Sequence, residues 1–349
     1  MSKNILLIPS TPSKMLSKMI ENAVEEIEIY EINELSNFTD LRNKNILLAI
    51  ELNAIGTNEK LNLILEKLTL IGYDSLLNSK ASILIHSNYN NFTKTYAQQV
   101  VYLMNRLGCR FPGRPIVEAN NNLDNFIALQ KIYNLSLDEI LFMKSKELGR
   151  KLFSEQYFYK NKNITAIHSS NKETSNTLML WEMIKENLDG FFVKDINLGN
   201  GKILDCRGCN YKTCKYFGKQ SKCYYGGIVV EEVYPSIIDS STIVFLCPNY
   251  NDMLPANIVA TINRLTALFR KTKFYDKRIY GVIVSGYSGS DALSKQLISS
   301  LNMNKTFELP PYFSLELTAN DPGYINKIPN IKDIAKNFAE NIKRDLLLS

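Results

Sequence analysis

The sequence predicts an α/β protein built from two doubly wound, parallel-sheet halves. Three observations carry that expectation. Short apolar runs alternate with stretches of helical period, the runs are apolar throughout as buried parallel strands are, and their order returns in the second half. At 349 residues, 45% of them hydrophobic, the chain has material for two cores.

The elements follow in order. NILLIPS (4–10) reads as a strand and KMLSKMIENAVEE (14–26) as the helix after it. NKNILLAIE (43–51) and NEKLNLILEKLTLIG (58–72) form a second pair, ASILIHSN (81–88) and TKTYAQQVVYLMNRLG (93–108) a third. NITAIHSS (163–170) with NTLMLWEMIKENL (176–188) then mirrors the opening pair. STIVFLCPNYNDMLPANIVATINRL (241–265) mirrors residues 45–68, and YGVIVSGYSGSDALSKQLISSL (280–301) mirrors residues 82–103. Three segments in the same order predict an internal duplication. The expected layout is a first domain over 1–145, a linker over 146–162 and a second domain over 163–349. A cysteine-rich insertion at 202–227 has no counterpart in the first half.

Charge and hydropathy exclude several classes. The net charge of +6 is spread along the chain without a dense basic stripe, so no nucleic-acid partner is expected. No apolar run is long enough for a membrane span, and the first apolar run is too short for a signal peptide. The expected location is cytoplasmic, where thiols stay reduced.

Three stretches of the second half suit a phosphorylated cofactor. HSSNKETSNT (168–177) joins a strand to a helix and offers Ser169, Ser170, Asn171, Thr174, Ser175, Asn176 and Thr177 as neutral donors at a helix N-terminus. The same residues would also make an ordinary helix cap. CPNYNDMLPANI (247–258) follows the second strand and VSGYSGSD (284–291) the third. Ligands of doubly wound sheets bind at the carboxyl ends of strands, where all three loops should meet.

In this order, with a cysteine-rich segment before the second loop and Arg264 on the helix after it, residues 163–325 resemble the NADPH-dependent FMN reductase family of flavodoxin-like proteins. Within it they are most similar to the iron-sulfur flavoproteins. The resemblance implies that FMN sits on the first loop through its phosphate. Pro248, Asn249, Tyr250, Asn251 and Asp252 would line its ring, with Tyr250 against the isoalloxazine, and Ser285, Gly286 and Tyr287 would approach from the third loop. It implies NAD(P)H as cosubstrate and an acceptor the sequence does not name. One departure stands out: family members begin the first loop with Gly-Ser, and this chain has His168 there, read as structural. In the first half the equivalent loop is PSTPSKML, where Pro9 and Pro12 offer no N–H, and Glu51 stands in the position of Pro248. That half is expected to be a degenerate copy without cofactor. It would stand in for a partner subunit and make the chain pseudo-dimeric, with homo-oligomers still open.

Four of the six cysteines, Cys206, Cys209, Cys214 and Cys223, fall within eighteen residues at gaps of two, four and eight. Four thiolates suit a [4Fe-4S] centre or a structural zinc, and free redox-active thiols are the third reading. The resemblance implies the iron-sulfur centre, although the second gap here is wider than in the iron-sulfur flavoproteins. Cys109 and Cys247 are expected to be buried apolar residues. The expected function is a flavin-dependent oxidoreductase that passes electrons from NAD(P)H through FMN and a [4Fe-4S] centre. The alternatives are a reductase without the centre and a non-enzymatic, zinc-stapled interaction protein.

Overall fold

The structure, a computed structural model, describes residues 3–33, 40–154, 159, 161–171, 173–201 and 203–347. The chain divides into two compact units, Met1–Gln156 and Tyr157–Ser349.

The first unit alternates β1 (Asn4–Leu7), α1 (Lys14–Ala23), β2 (Tyr30–Ile32), β3 (Asn45–Glu51), α2 (Glu59–Ile71), β4 (Lys80–His86), α3 (Thr93–Arg106), β5 (Ile116–Ala119), α4 (Ile127–Tyr133) and α5 (Leu137–Phe153). Its five strands are parallel, in the order β2-β1-β3-β4-β5. Ser13, Asn58 and Ser136 cap α1, α2 and α5 by accepting N–H groups three residues on, which is why these helices start where they do. Helix α5 carries the first unit past residue 145, into the stretch expected as linker. Its Leu148 and Leu152 are buried in the first core, and Gly149 lies so close to α1 that a Cβ there would stand 1.8 Å from the Ala23 carbonyl oxygen. The rest of the expected linker lies mostly outside the described residues.

The second unit runs β6 (Ile164–His168), α6 (Asn176–Lys185), β7 (Val193–Asn197), α7 (Tyr211–Lys219), α8 (Tyr234–Asp239), β8 (Thr242–Pro248), α9 (Ala256–Phe269), β9 (Arg278–Ser285), α10 (Ser290–Leu297), β10 (Ser314–Thr318) and α11 (Ile331–Leu347). Its parallel sheet has the order β7-β6-β8-β9-β10. Counted within each unit, both sheets read second, first, third, fourth, fifth. That order is flavodoxin-like, and it places the topological switch between the first and third strands. Strands β6, β8 and β9 are buried on both faces, and Trp181 of α6 and Phe338 of α11 pack on one of them. The cysteine-rich segment leaves the sheet after β7 and lays α7 across α9, where a Cβ on Gly218 would stand 2.5 Å from the Ala267 carbonyl oxygen. Among the described residues no helix is long and apolar enough to cross a membrane.

Candidate flavin site and cysteine cavity

Parallel strands end together, so the loops after β6, β8 and β9 share one edge of the second sheet. The β6–α6 loop lies at the switch point. His168, 3% exposed, accepts the Ser170 N–H at Nδ1 (3.3 Å) and so turns the chain out of the strand. The Asn171 carbonyl accepts the Ser175 N–H, and the Ser175 hydroxyl caps α6 by accepting the Leu178 N–H. What the loop leaves over is informative. The Ser170 hydroxyl is buried with no partner, and the N–H groups of Asn171, Thr174 and Thr177 are bonded to no described residue. A buried hydroxyl without a partner costs about 1–3 kcal/mol, a penalty an anion at the start of α6 would remove. Ser169 is half-buried and Thr174 exposed.

Asn176 behaves differently from its neighbours. Its side-chain amide donates to the carbonyls of Ala319 (3.1 Å) and Asp321 (2.8 Å) and accepts the Ile325 N–H (3.2 Å). The side chain therefore ties the loop after β10 to α6 and is not left over for a phosphate.

The second and third loops interlock. The Asn249 amide donates to Asp252 Oδ1 (3.1 Å), Ser285 Oγ (3.0 Å) and the Ser288 carbonyl (3.0 Å), while its own oxygen accepts the Asp252 N–H (2.8 Å). Asn251 and Asp252 both have positive φ, a conformation that Asn and Asp tolerate better than most residues. Gly289 has φ +91°, and a Cβ on it would stand 1.9 Å from Asp252 Oδ1, so its missing side chain makes room for that carboxylate. At Gly286 a Cβ would stand 3.0 Å from Asn320 Oδ1. Pro248 ends β8, and the Thr318 hydroxyl donates to the Tyr287 carbonyl. Tyr250 and Tyr287 are 60% and 81% exposed, leaving two aromatic faces open beside a rigid polar loop pair.

The same edge of the first unit is arranged otherwise. Glu51, at the end of β3, accepts the Ser13 N–H (3.0 Å) at the start of α1 and pairs with His86 Nδ1 (2.5 Å) at the end of β4. Burial works against its charge, but the bonds from His86 and Ser13 outweigh burial and hold the carboxyl below its ordinary value. An internal carboxylate thus already stands at the N-terminus of α1. The loop's Pro9, Ser10, Thr11 and Pro12 line a cavity with Glu21, Glu31 and Lys60, so its carboxylates outnumber its cations.

The four clustered cysteines come together. Cys206, Cys209, Cys214 and Cys223 line one cavity of about 190 Å3 with Tyr225, Phe217, Asn263 and Arg264 of α9, and Arg270 just past its end. Asp205 anchors the segment by accepting both the Cys206 N–H (2.6 Å) and the Asn263 amide (3.0 Å). The Arg270 guanidinium stacks 4.8 Å above the Tyr211 ring, and Cys209 donates to the Tyr225 hydroxyl. All four are free thiols, and among the described residues no group of three or more metal-ligating side chains stands together at a spacing that could hold a metal ion. The cavity is lined by four thiols and no carboxylate, the donor type of a four-thiolate centre, but the thiols do not stand together as a set of ligands. Cys109 and Cys247 are wholly buried elsewhere, and burial pushes both thiols far up, which keeps them neutral.

The second unit is thus a flavodoxin-like α/β domain with a donor-rich loop at its switch point. Comparison narrows this: residues 163–320, most of the second unit and a little under half of the chain, match the family model of NADPH-dependent FMN reductases. No curated protein matches the chain. Among solved structures, RosB with a bound 8-demethyl-8-formylriboflavin-5'-phosphate intermediate is 12% identical over 54% of this chain and 79% of that one, with a TM-score of 0.44. NAD(P)H:quinone oxidoreductase from Methanothermobacter marburgensis is 13% identical over 52% of this chain and 98% of that one, with a TM-score of 0.42. An NADH:FMN oxidoreductase in its apo form is 15% identical over 54% and 90%, with a TM-score of 0.37. At these scores none of the three bears on residue roles.

Proposed function

We propose that the chain is a flavin-dependent NAD(P)H oxidoreductase that holds one FMN, on the second unit alone. The observation that carries this reading is the β6–α6 loop of a domain matching the FMN reductase family, with a buried, partnerless Ser170 hydroxyl and unbonded N–H groups at a helix start. Ser169, Ser170, Asn171, Thr174 and Thr177 hold the phosphate, Ser175 caps the helix behind it, and Asn176 braces the site from the loop after β10. Pro248, Asn249, Tyr250, Asn251 and Asp252 with Ser285, Gly286 and Tyr287 hold the ring. FMN, when bound, supplies the conversion of a hydride donor into a source of single electrons, so no side chain is needed as acid or base. The protein's part is to fix the phosphate and keep the loop pair rigid beside the ring.

The first unit, in this reading, is a duplicated copy that has lost the cofactor. The shared strand order supports the common origin, and Glu51 at the start of α1 supports the loss. The cysteine cavity holds a [4Fe-4S] centre that takes single electrons onward to an acceptor. Its support is the meeting of all four thiols in one cavity on α9, the helix that begins just after the ring-binding loop. The NADPH-dependent FMN reductase match concerns the flavin alone, so a reductase without the centre is the reading that remains if iron is not found.

The phosphate assignment has a direct test. Replacing Ser170 and Thr174 together by Ala is expected to weaken FMN by about tenfold or more, the equivalent of one or two charge-assisted hydrogen bonds. Riboflavin, which has no phosphate, should bind the variant as it binds the wild type. Fluorescence titration with both flavins reads the difference, and equal losses for the two would refute the assignment.

A further inference from the structure

We propose that the outer face of α7 and the turn after it form a docking surface for an acidic segment of another protein. The proposal stands on charge and side-chain chemistry at that face and does not depend on what the cysteine cavity holds.

The net charge of +6, expected to be spread along the chain, is held unevenly. Residues 206–230 carry Arg207, Lys212, Lys215, Lys219 and Lys222 and no Asp or Glu, so this one stretch accounts for five of the six net charges. It belongs to a part of the second unit that the first unit lacks: residues 33–44 join β2 to β3, whereas residues 198–241 join β7 to β8. All five cations are exposed, and among the described residues none makes an ion pair. None of them lines the cysteine cavity, so their charge is turned outward. Lys212, Lys215 and Lys219 follow at spacings of three and four, which sets them side by side on one stripe of α7, where like charges repel. Lys212 also stands in the first helical turn, which holds no acid and where the helix dipole disfavours a cation. The helix is thus charged against its own stability, and carboxylates on an incoming surface would relieve it.

Aromatic rings run between these cations. Tyr216, Phe217, Tyr224 and Tyr225 meet edge to face in turn, with centroids 5.2, 5.6 and 5.2 Å apart, and the Arg207 guanidinium lies 5.7 Å from the Tyr225 ring. Tyr211 carries the Arg270 guanidinium in the same way. Tyr211, Tyr216 and Tyr224 are 57%, 63% and 65% exposed. Tyrosine and arginine dominate contacts between proteins, and lysines around them steer the encounter. A membrane surface calls instead for an apolar face of Leu, Phe or Trp, and here Phe217 lines the cysteine cavity while the exposed rings are tyrosines. The face is also held still. Gly218 lets α7 lie against the backbone of α9, so binding has little ordering to do on this side.

Full-length protein titrated with a fluorescein-labelled polyglutamate peptide tests the proposal, with anisotropy as the readout. An oligothymidine of the same net charge and phosphatidylserine vesicles stand for the other two kinds of anionic partner. The peptide should bind saturably at low ionic strength and weaken steeply as salt is added. Reversing Lys212, Lys215 and Lys219 together to Glu should weaken it by about tenfold or more. The same three reversals at Lys327, Lys332 and Lys336, exposed in the last part of the chain, should cost clearly less. Tyr216→Ala should weaken the peptide several-fold without changing the salt dependence, which attraction to any polyanion would not show. No saturable binding, equal losses from the two sets of reversals, or tighter binding of oligothymidine or vesicles than of the peptide would overturn the proposal. If the triple variant does not fold, Lys215→Gln decides, and unchanged affinity would overturn it.

Discussion

Valine at position 289 is expected to cost the protein its FMN while leaving the unfolding of the first unit unchanged. Gly289 has φ +91°, and any Cβ there would meet Asp252 Oδ1 at 1.9 Å and Asn249 Nδ2 at 3.1 Å. A β-branched residue adds backbone strain to that overlap, together about 2–4 kcal/mol. Asp252 must then move, and with it the Asn249 amide that joins Ser285 Oγ to the Ser288 carbonyl. The loops after β8 and β9 lose their interlock, and Tyr250 and Tyr287 lose their common support. An affinity loss of about a hundredfold corresponds to roughly 2.7 kcal/mol of that cost appearing in the bound state. FMN fluorescence quenching measures it, and urea unfolding followed by two probes shows whether the first unit is spared. Retained affinity would mean that the interlocked loops do not hold the ring.

On the proposed reading of the cysteine cavity, protein reconstituted anaerobically with iron and sulfide should show iron-sulfur absorption. Single Cys→Ala changes at 206, 209, 214 and 223 should remove it, since the proposed [4Fe-4S] centre would take its ligands from this set. Cys109→Ala and Cys247→Ala should not, because both thiols are buried in other parts of the fold. FMN should stay bound in all six variants, since none of the residues assigned to the flavin is a cysteine. NAD(P)H should still reduce the flavin, and transfer to a one-electron acceptor should slow in the first four. Anaerobic iron analysis and visible spectra check this directly. A colourless protein holding zinc would replace the centre by a structural staple.

The chemistry of individual residues decides how much of this was legible in the sequence. Strands β6, β8 and β9 are buried on both faces, so they appear as unbroken apolar runs and their loops could be placed on one edge. Edge strands β7 and β10 have side chains mostly part-exposed, show no such run and were not foreseen. Ser170 stood out because hydroxyls crowd its loop, but Asn176 looked like another donor. Only the fold brings Ala319, Asp321 and Ile325 to its amide. Gly289 lies in the third loop, and only the fold shows that its missing side chain makes room for Asp252. Glu51 was seen to be ill placed for a flavin, but its bonds to Ser13 and His86 join the start of α1 to the ends of β3 and β4 and have no local signature. Arg264 was singled out on the helix after the second loop, but its burial shows only in the fold, where it bonds the Leu204 and Gly226 carbonyls.

On the proposed function, one unit of the two holds the cofactor. This is checked by counting FMN bound per intact chain, in anaerobic protein saturated with FMN and freed of excess by gel filtration. One FMN per chain is the predicted result, with the count falling toward zero in the Gly289→Val protein. Two per chain, or a count that Gly289→Val leaves at one, would contradict it.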